Sequence, residues 1–493
     1  MAENISFAEI PLNIRTPGQF IEFDNTRAVQ GLPTQDRKIL VIGNRLAAGD
    51  VAAEIPVRIL NAEQGEAAFG RGSVIAAMLK AVKTANRSTD VWAVALDDAD
   101  AGVAATGTIL FAGTPSKAQV LTLYVAGERV QVALATTDTA ATVATKLVAQ
   151  INAQTDLPVT AEVNGTTPAQ VDLTARNKGE HGNFIDLRIT YYQTDKKPEG
   201  MTVTITPMAD GAANPDIADA LAAIGDDQFY TIISPWTDTA NMAAIEAELS
   251  ERWGPMTQKT GHAFVGLSAT HAGLSTWGTS RNSVQSSAGG LHNSPTPPWV
   301  LAAAWAAVVE FNGAIDPARP FQTLAVPGVL APPEESRFNR EERNILLNDG
   351  ISTFTVGQDG TVYIERVITT YQQNAFGVDD ISYLNLNTKW TVDYIRYAVR
   401  TRIALRYPRF KLADDGTRFA AGQAVVTPSM LRAELLALFR ELEEVALVEN
   451  FEQFKADLQV VRSNTDPDRV NSIIPPDIIN QFRVFAAAVQ FRL

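Results

Sequence analysis

Three stretches of this 493-residue chain hold residues that could do chemistry. "FGRGSVIAAM" sets Gly70 and Gly72 before an apolar helical pattern, the setting of a phosphate-cradling loop, but it has no third glycine and no Gly-Lys-Ser/Thr. It reads as a tight turn with Ser73 as the N-cap of a helix. "GHAFVGLSATH" places His262 and His271 at the end of an apolar strand, where α/β folds gather catalytic groups. Their spacing matches no metal motif and no G-x-S-x-G elbow occurs, so both read as structural histidines. "LDDADAG" clusters Asp97, Asp98 and Asp100 without the ligand ladder and closing Glu of a calcium loop, and reads as a solvated turn at a domain boundary. The chain has no cysteine, which removes thiol nucleophiles, disulfides and cysteine metal sites together. No catalytic residue, cofactor or metal is expected.

A fourth pattern is electrostatic. "YIRYAVRTRIALRYPRFK" carries Arg396 and Arg400 one helical turn apart, and "ELLALFRELEEVALVENFE" follows with Glu441 and Glu444. Such opposite charges pair within one subunit or between neighbours, and both readings stand. The whole chain has a formal net charge of −14, a field that repels nucleic acid and acidic membranes. The N-terminus "MAENISFAEIPLN" lacks the basic start and apolar run of a signal peptide. The longest apolar run, Trp299 to Val309, falls short of the ~20 residues of a membrane helix. These features predict a soluble chain made in the cytoplasm, with neither nucleic-acid binding nor membrane insertion.

The elements that would position these residues are of two kinds. "KILVIG", "VWAVAL", "FYTIIS" and "AFVGL" are continuous apolar runs, as a sheet covered on both faces requires. Between them lie helical patterns through Ile75, Met78, Leu79 and Val82, and through Met242, Ile245, Leu249 and Trp253. Residues 101–211 instead show seven short strand patterns with Gly, Pro and Asn turns and one helix near 139–153. The expected fold is therefore α/β and α+β multidomain. An arm and linker (1–37) leads into an α/β core domain (38–100 with 212–340) that carries an inserted β-rich domain (101–211). A C-terminal α+β domain with a hairpin (341–480) and a terminal strand (481–493) complete it. Within the core, 268–298 is rich in Ser, Gly, Thr and Pro and reads as a long surface loop.

Both ends of the chain alternate in the manner of strands. Near the start, Phe20, Ile21 and Phe23 lie in "GQFIEFDNT"; at the end, Phe482, Val484, Phe485, Val489, Phe491 and Leu493 lie in "QFRVFAAAVQFRL". Neither has a partner nearby in sequence, and each follows or precedes a Pro-containing linker. The hairpin at 351–371, with its Asp359-Gly360 turn and apolar Phe354, Val356, Val362, Ile364 and Val367, is the expected acceptor. Donated to neighbours, the end strands would complete a four-stranded sheet in an open, propagating array.

The residues also resemble a known family. "NISFAEIPLNIRTPGQFIEFDNTRAVQGLPTQDRKILVIGNRLA", "AATGTILFAGTP", "LYVAGERVQVAL", "NKGEHGNFIDLRI", "GTSRNS", "FTVGQDGTVYIERVITTYQ" and "FRVFAAAVQFRL" are similar, in order and spacing, to tail sheath proteins of Mu-like contractile bacteriophages. The resemblance implies a structural polymer of stacked rings around a tail tube, with exchanged terminal arms, contracting to drive the tube through a host envelope. It implies partners in further copies of the chain, the tube protein, and baseplate and terminator proteins. It implies a place in the virion tail after assembly in the host cytoplasm, and contact between the C-terminal domain and the tube. The alternatives are a non-contractile surface or adhesin polymer and an α/β hydrolase-like enzyme.

Overall fold

The structure, a computed structural model, describes residues 15–19, 21, 31–420 and 422–492. Phe20, Phe23 and Leu493, expected in donor strands, lie outside the described residues. The chain divides into two compact units. One holds Arg37–Asp316 and Pro320–Lys389; the other holds Trp390 onward, Pro317–Arg319 and the N-terminal segment that ends at Asp36.

In the larger unit the apolar runs become the middle of a nine-stranded sheet. Its order is Ala325–Leu330, Thr361–Arg366, Ile351–Val356, Ser286–Leu291, His262–Ser268, Thr231–Ile233, Lys38–Asn44, Asp90–Leu96, Val57–Ile59. The six strands from Ile351–Val356 to Asp90–Leu96 run parallel, and antiparallel strands close both sides. Helices Ile217–Ala223 and Thr239–Trp253 cover Leu40, Ile42, Val94 and Ile232 with Leu221, Ile245 and Leu249. Helices Val74–Ala85 and Pro298–Ile315 pack on each other and on the central strands. The Ser73 hydroxyl accepts from the Ala76 N–H at 3.2 Å, so "FGRGS" is a turn and cap as expected. Helix Pro298–Ile315 is longer than its apolar run suggests. It is long and apolar enough to cross a membrane by length and composition, yet 72% of that window is buried inside the protein.

Two expectations fail here. The stretch 268–298 is no surface loop: it contains helix His271–Thr279 and the wholly buried strand Ser286–Leu291. "SSAGGL" hides its strand character because bulk is forbidden there. A Cβ on Gly289 would lie 2.9 Å from the Phe354 ring and 3.1 Å from Trp305. On the adjacent strand, a Cβ on Gly266 would lie 2.0 Å from the Pro298 carbonyl oxygen. The second failure is the hairpin. Ile351–Val356 and Thr361–Arg366 do pair across Gly360, but the first also joins Ser286–Leu291 and the second joins Ala325–Leu330. Phe354, Val362, Ile364 and Val367 are buried, and Phe354 meets Trp305 edge-on at 5.8 Å. This hairpin belongs to the α/β core and is not a two-edged acceptor, and the boundary drawn at 341 moves to about 390.

Residues 106–209 form two sheets of their own. Met201–Ala209, Thr106–Gly113, Gln170–Ala175 and Val159–Val163 make one; Glu128–Leu134, Gln119–Val125 and Leu187–Arg188 make the other. Helix Ala140–Ala153 buries Val143, Ala144, Leu147 and Ile151. A bridge between Val103 and Ala212 draws the two ends together. Asp98 is more than a solvated turn: its carboxylate accepts from Asn44 Nδ2 at 2.8 Å, Asn177 Nδ2 at 3.0 Å and the Lys178 N–H at 2.9 Å. Asn177 in turn accepts from the Val74 N–H, so this latch joins sheet, helix and insert.

His181 sits at the same junction, fully buried edge-on to Trp299 at 5.7 Å, with no partner for either ring nitrogen among the described residues. Burial pushes its pKa down to about 4. The folded state therefore binds its proton less readily than the unfolded chain does. The stability this neutral ring contributes is complete above about pH 6.5, is lost as pH falls toward 4, and amounts to roughly 3 kcal/mol. Thermal unfolding between pH 7 and 4.5 should show a clearly smaller drop in midpoint for His181→Phe than for the native chain. An equal drop would refute it.

Candidate assembly interface

The C-terminal unit is built on two antiparallel-packed helical segments whose apolar stripes face each other. Ile395 and Ala398 from helix Leu386–Arg406 meet Leu435, Leu438, Phe439 and Leu442 from helix Pro428–Glu444. Thr427 caps the second helix, accepting from the Met430 N–H, and Pro428 opens it. Phe454 stacks on Phe439 with ring centroids 4.0 Å apart.

Next to this core stands a hairpin whose turn and second strand fall in the Pro-containing linker expected before the terminal strand. Gln459–Arg462 pairs antiparallel with Val470–Ile473 through the Asp466-Pro467 turn region. It is a two-stranded sheet, so among the described residues both outer edges lack a ladder partner. Val460 packs toward the helical core, whereas Val461 and Ile473 are exposed. The signal was weak because "VNSI" is half polar; the "SNTDPD" turn cluster before it was the usable clue.

Beyond the hairpin, a two-residue ladder ties Asp477–Ile478 to Val448–Glu449, and the Ile479 N–H reaches the Leu447 carbonyl at 3.2 Å. Gln481 still donates to the Ala318 carbonyl at 3.1 Å. From 482 to 492 no strand pairing occurs, and Phe482, Val484, Phe485 (80% exposed), Val489 (89%) and Phe491 project into solvent. At the other end Ile21 is likewise exposed and outside any strand.

The charged helices are joined largely within the unit. Arg402 bonds Glu434 at 3.0 Å and also Glu441, while Arg406 bonds the other Glu434 oxygen at 2.9 Å. Burial works against the Arg402 charge, and the bonds to Glu441 and Glu434 outweigh it, so its pKa is raised. Glu441 is thus engaged internally. Arg396, a candidate contact residue, is half-buried with its guanidinium 3.3 Å from Asp393; Arg400 and Glu444 are exposed.

The histidines singled out in the sequence belong to the α/β unit. His262 is buried, with Nε2 2.8 Å from the Ser287 hydroxyl, and its pKa is well below the usual range through burial and then Lys389. His271 Nε2 lies 3.1 Å from the Glu342 carbonyl, and its ring meets Phe338 edge-on. Among the described residues no three His, Asp or Glu side chains converge as metal ligands would.

Comparison with known proteins places the whole chain. A model of the phage tail sheath protein central domain matches residues 210–370, and one of the phage tail sheath C-terminal domain matches 378–492. The Mu-like prophage FluMu tail sheath protein of Haemophilus influenzae is 45% identical over 490 residues, 99% of this chain and 100% of that protein. Among solved structures, the sheath tail protein of Desulfitobacterium hafniense is 14% identical, with 94% of this chain and 100% of that one covered at a TM-score of 0.47. The helical sheath of the anti-feeding prophage in its contracted state is 11% identical, with 97% and 99% covered at a TM-score of 0.49. With a relative this similar over its full length, the chain belongs to the phage tail sheath protein family and is a structural subunit of a tail sheath.

Proposed function

We propose that copies of this chain polymerise as a helical sleeve around a tail tube by exchanging terminal strands, and that contraction of the sleeve drives the tube through a host envelope. The observation that carries this reading is the coexistence, in one unit, of a hairpin whose two edges and an apolar arm whose backbone find no strand partner among the described residues. An isolated two-stranded hairpin is marginal in water, and its edges are templates for a further strand. The arm 482–492 of one copy adds to the edge of hairpin 459–473 in another, and the N-terminal arm, with Ile21 and its neighbours, takes the remaining edge. The partners are other copies, the tube protein, and baseplate and terminator proteins. Arg400 and Glu444, both exposed, are candidate contacts with the tube or a neighbour. The subunit acts without catalysis, in the virion tail, after assembly in the host cytoplasm. Electron microscopy of the purified protein should show hollow tubes of regular diameter; monomers or flat sheets across a range of salt and protein concentration would overturn the proposal.

A further inference from the structure

Away from the arms, the α/β unit holds out a second apolar feature. Within six residues Phe376 (90% exposed), Val378 and Ile381 (78%) all face water. The loop that carries them is firmly built. The Asn374 carboxamide oxygen accepts from the N–H groups of Phe376 and Val378 at 2.9 and 3.2 Å, and the Asn374 N–H donates to the Val378 carbonyl. Gly377, with a φ of 72°, closes the turn. At its base Asn282 Oδ1 accepts from the N–H groups of Gln372 and Gln373, and Tyr371 donates to Asp380 at 2.6 Å. A loop already ordered loses little entropy on docking, and clustered exposed apolar groups mark interaction surfaces.

Its charge points to the occupant. Asp379 and Asp380 flank the apolar tip. In the C-terminal unit, the end of helix Leu386–Arg406 and the turn after it present Leu405 (69% exposed) and Phe410 beside the exposed cations Arg409 and Lys411. Phe410 is braced by Tyr407 at 5.1 Å. In a chain of net charge −14 this patch is basic as well as apolar, and it complements the loop in both respects. We infer that loop 374–381 of one copy docks on residues 405–411 of a second copy, with Phe376, Val378 and Ile381 against Leu405 and Phe410, and Asp379 and Asp380 facing Arg409 and Lys411. Because the two surfaces differ, the contact is head-to-tail and repeats along a polymer. It rests on the reading that the chain polymerises with itself, and is separate from strand exchange.

The absence of cysteine makes the test clean. Polymers of the Val378→Cys, Leu405→Cys double variant, mildly oxidised and run without reductant, should give a ladder of covalent multimers extending past the dimer; each single variant should not. Asp379→Arg should raise the critical concentration for polymerisation about tenfold, and adding Arg409→Glu should restore most of it. Polymers that yield no ladder, or an unchanged critical concentration with Asp379→Arg, overturn this contact alone. A native chain that forms no polymers overturns the sheath-polymer reading, and the contact with it.

Discussion

Deleting residues 482–493 should leave a folded, soluble subunit that no longer forms tubes. The monomer loses little because the large side chains of 482–492 are exposed and the last anchors, Ile479 and Gln481, are kept. The polymer loses the burial of Phe485, Val489 and Phe491 against a neighbour, roughly 1.5–3 kcal/mol each, and the added ladder of backbone hydrogen bonds. The loss recurs at every subunit contact, so assembly disappears rather than weakens. Sedimentation at equal concentration, with circular dichroism as a folding control, reads this directly. Long polymers from the truncated chain would rule out the donated strand, and an unfolded truncation would show that the arm belongs to its own core. Blocking the outer edge of hairpin 459–473 instead, with Ser472→Pro, whose N–H points away from Gln459–Arg462, should give the same assembly defect.

Replacing Arg37 by Met should destabilise the α/β unit by about 3–5 kcal/mol, because it strands a buried carboxylate. Glu310 is wholly buried in the middle of helix Pro298–Ile315, and Arg37 grips it through two bonds of 2.6 and 3.0 Å. The guanidinium also donates to the Gly313 carbonyl and lies 3.5 Å over the Tyr230 ring, while Thr231 donates to the second Glu310 oxygen. The combined Arg37→Met, Glu310→Leu variant should recover most of the loss, since no unpaired charge remains. Urea unfolding of the native chain, both single variants and the double variant closes the cycle. Additive losses would mean that the pair is not coupled.

The parallel centre of the sheet was legible in the sequence because "KILVIG", "VWAVAL" and "AFVGL" are apolar on both faces, which only a doubly covered sheet demands. The cap at Ser73 and the helix through Leu249 were equally plain. "SSAGGL" was not, because its composition answers to the bulk of Trp305, Phe354 and Leu274 around it, and that bulk arrives from distant parts of the chain. Losing that strand left the 351–366 hairpin without its neighbour, and so it was cast as the acceptor. The true open-edged hairpin went unseen for a complementary reason. Its second strand is largely exposed and half polar, so it carries little of the alternation that betrays a buried strand. The arm itself, by contrast, advertised its need in its own pattern at Phe485, Val489 and Phe491. Of the candidate charges, Glu441 and Arg396 were engaged at home by Arg402 and Asp393, partners that spacing within one helix only half reveals.

The bridge between Val103 and Ala212 has a use in engineering. It brings the ends of the 106–209 segment to the spacing of one antiparallel pair, roughly 5 Å between Cα atoms. Any guest domain whose own termini lie that close can be spliced there without stretching either host strand, the loop-closure cost having been met by the scaffold. The position is a socket: an enzyme, a fluorescent reporter or an antibody fragment set into it would be carried once per subunit, at the regular intervals of the host lattice.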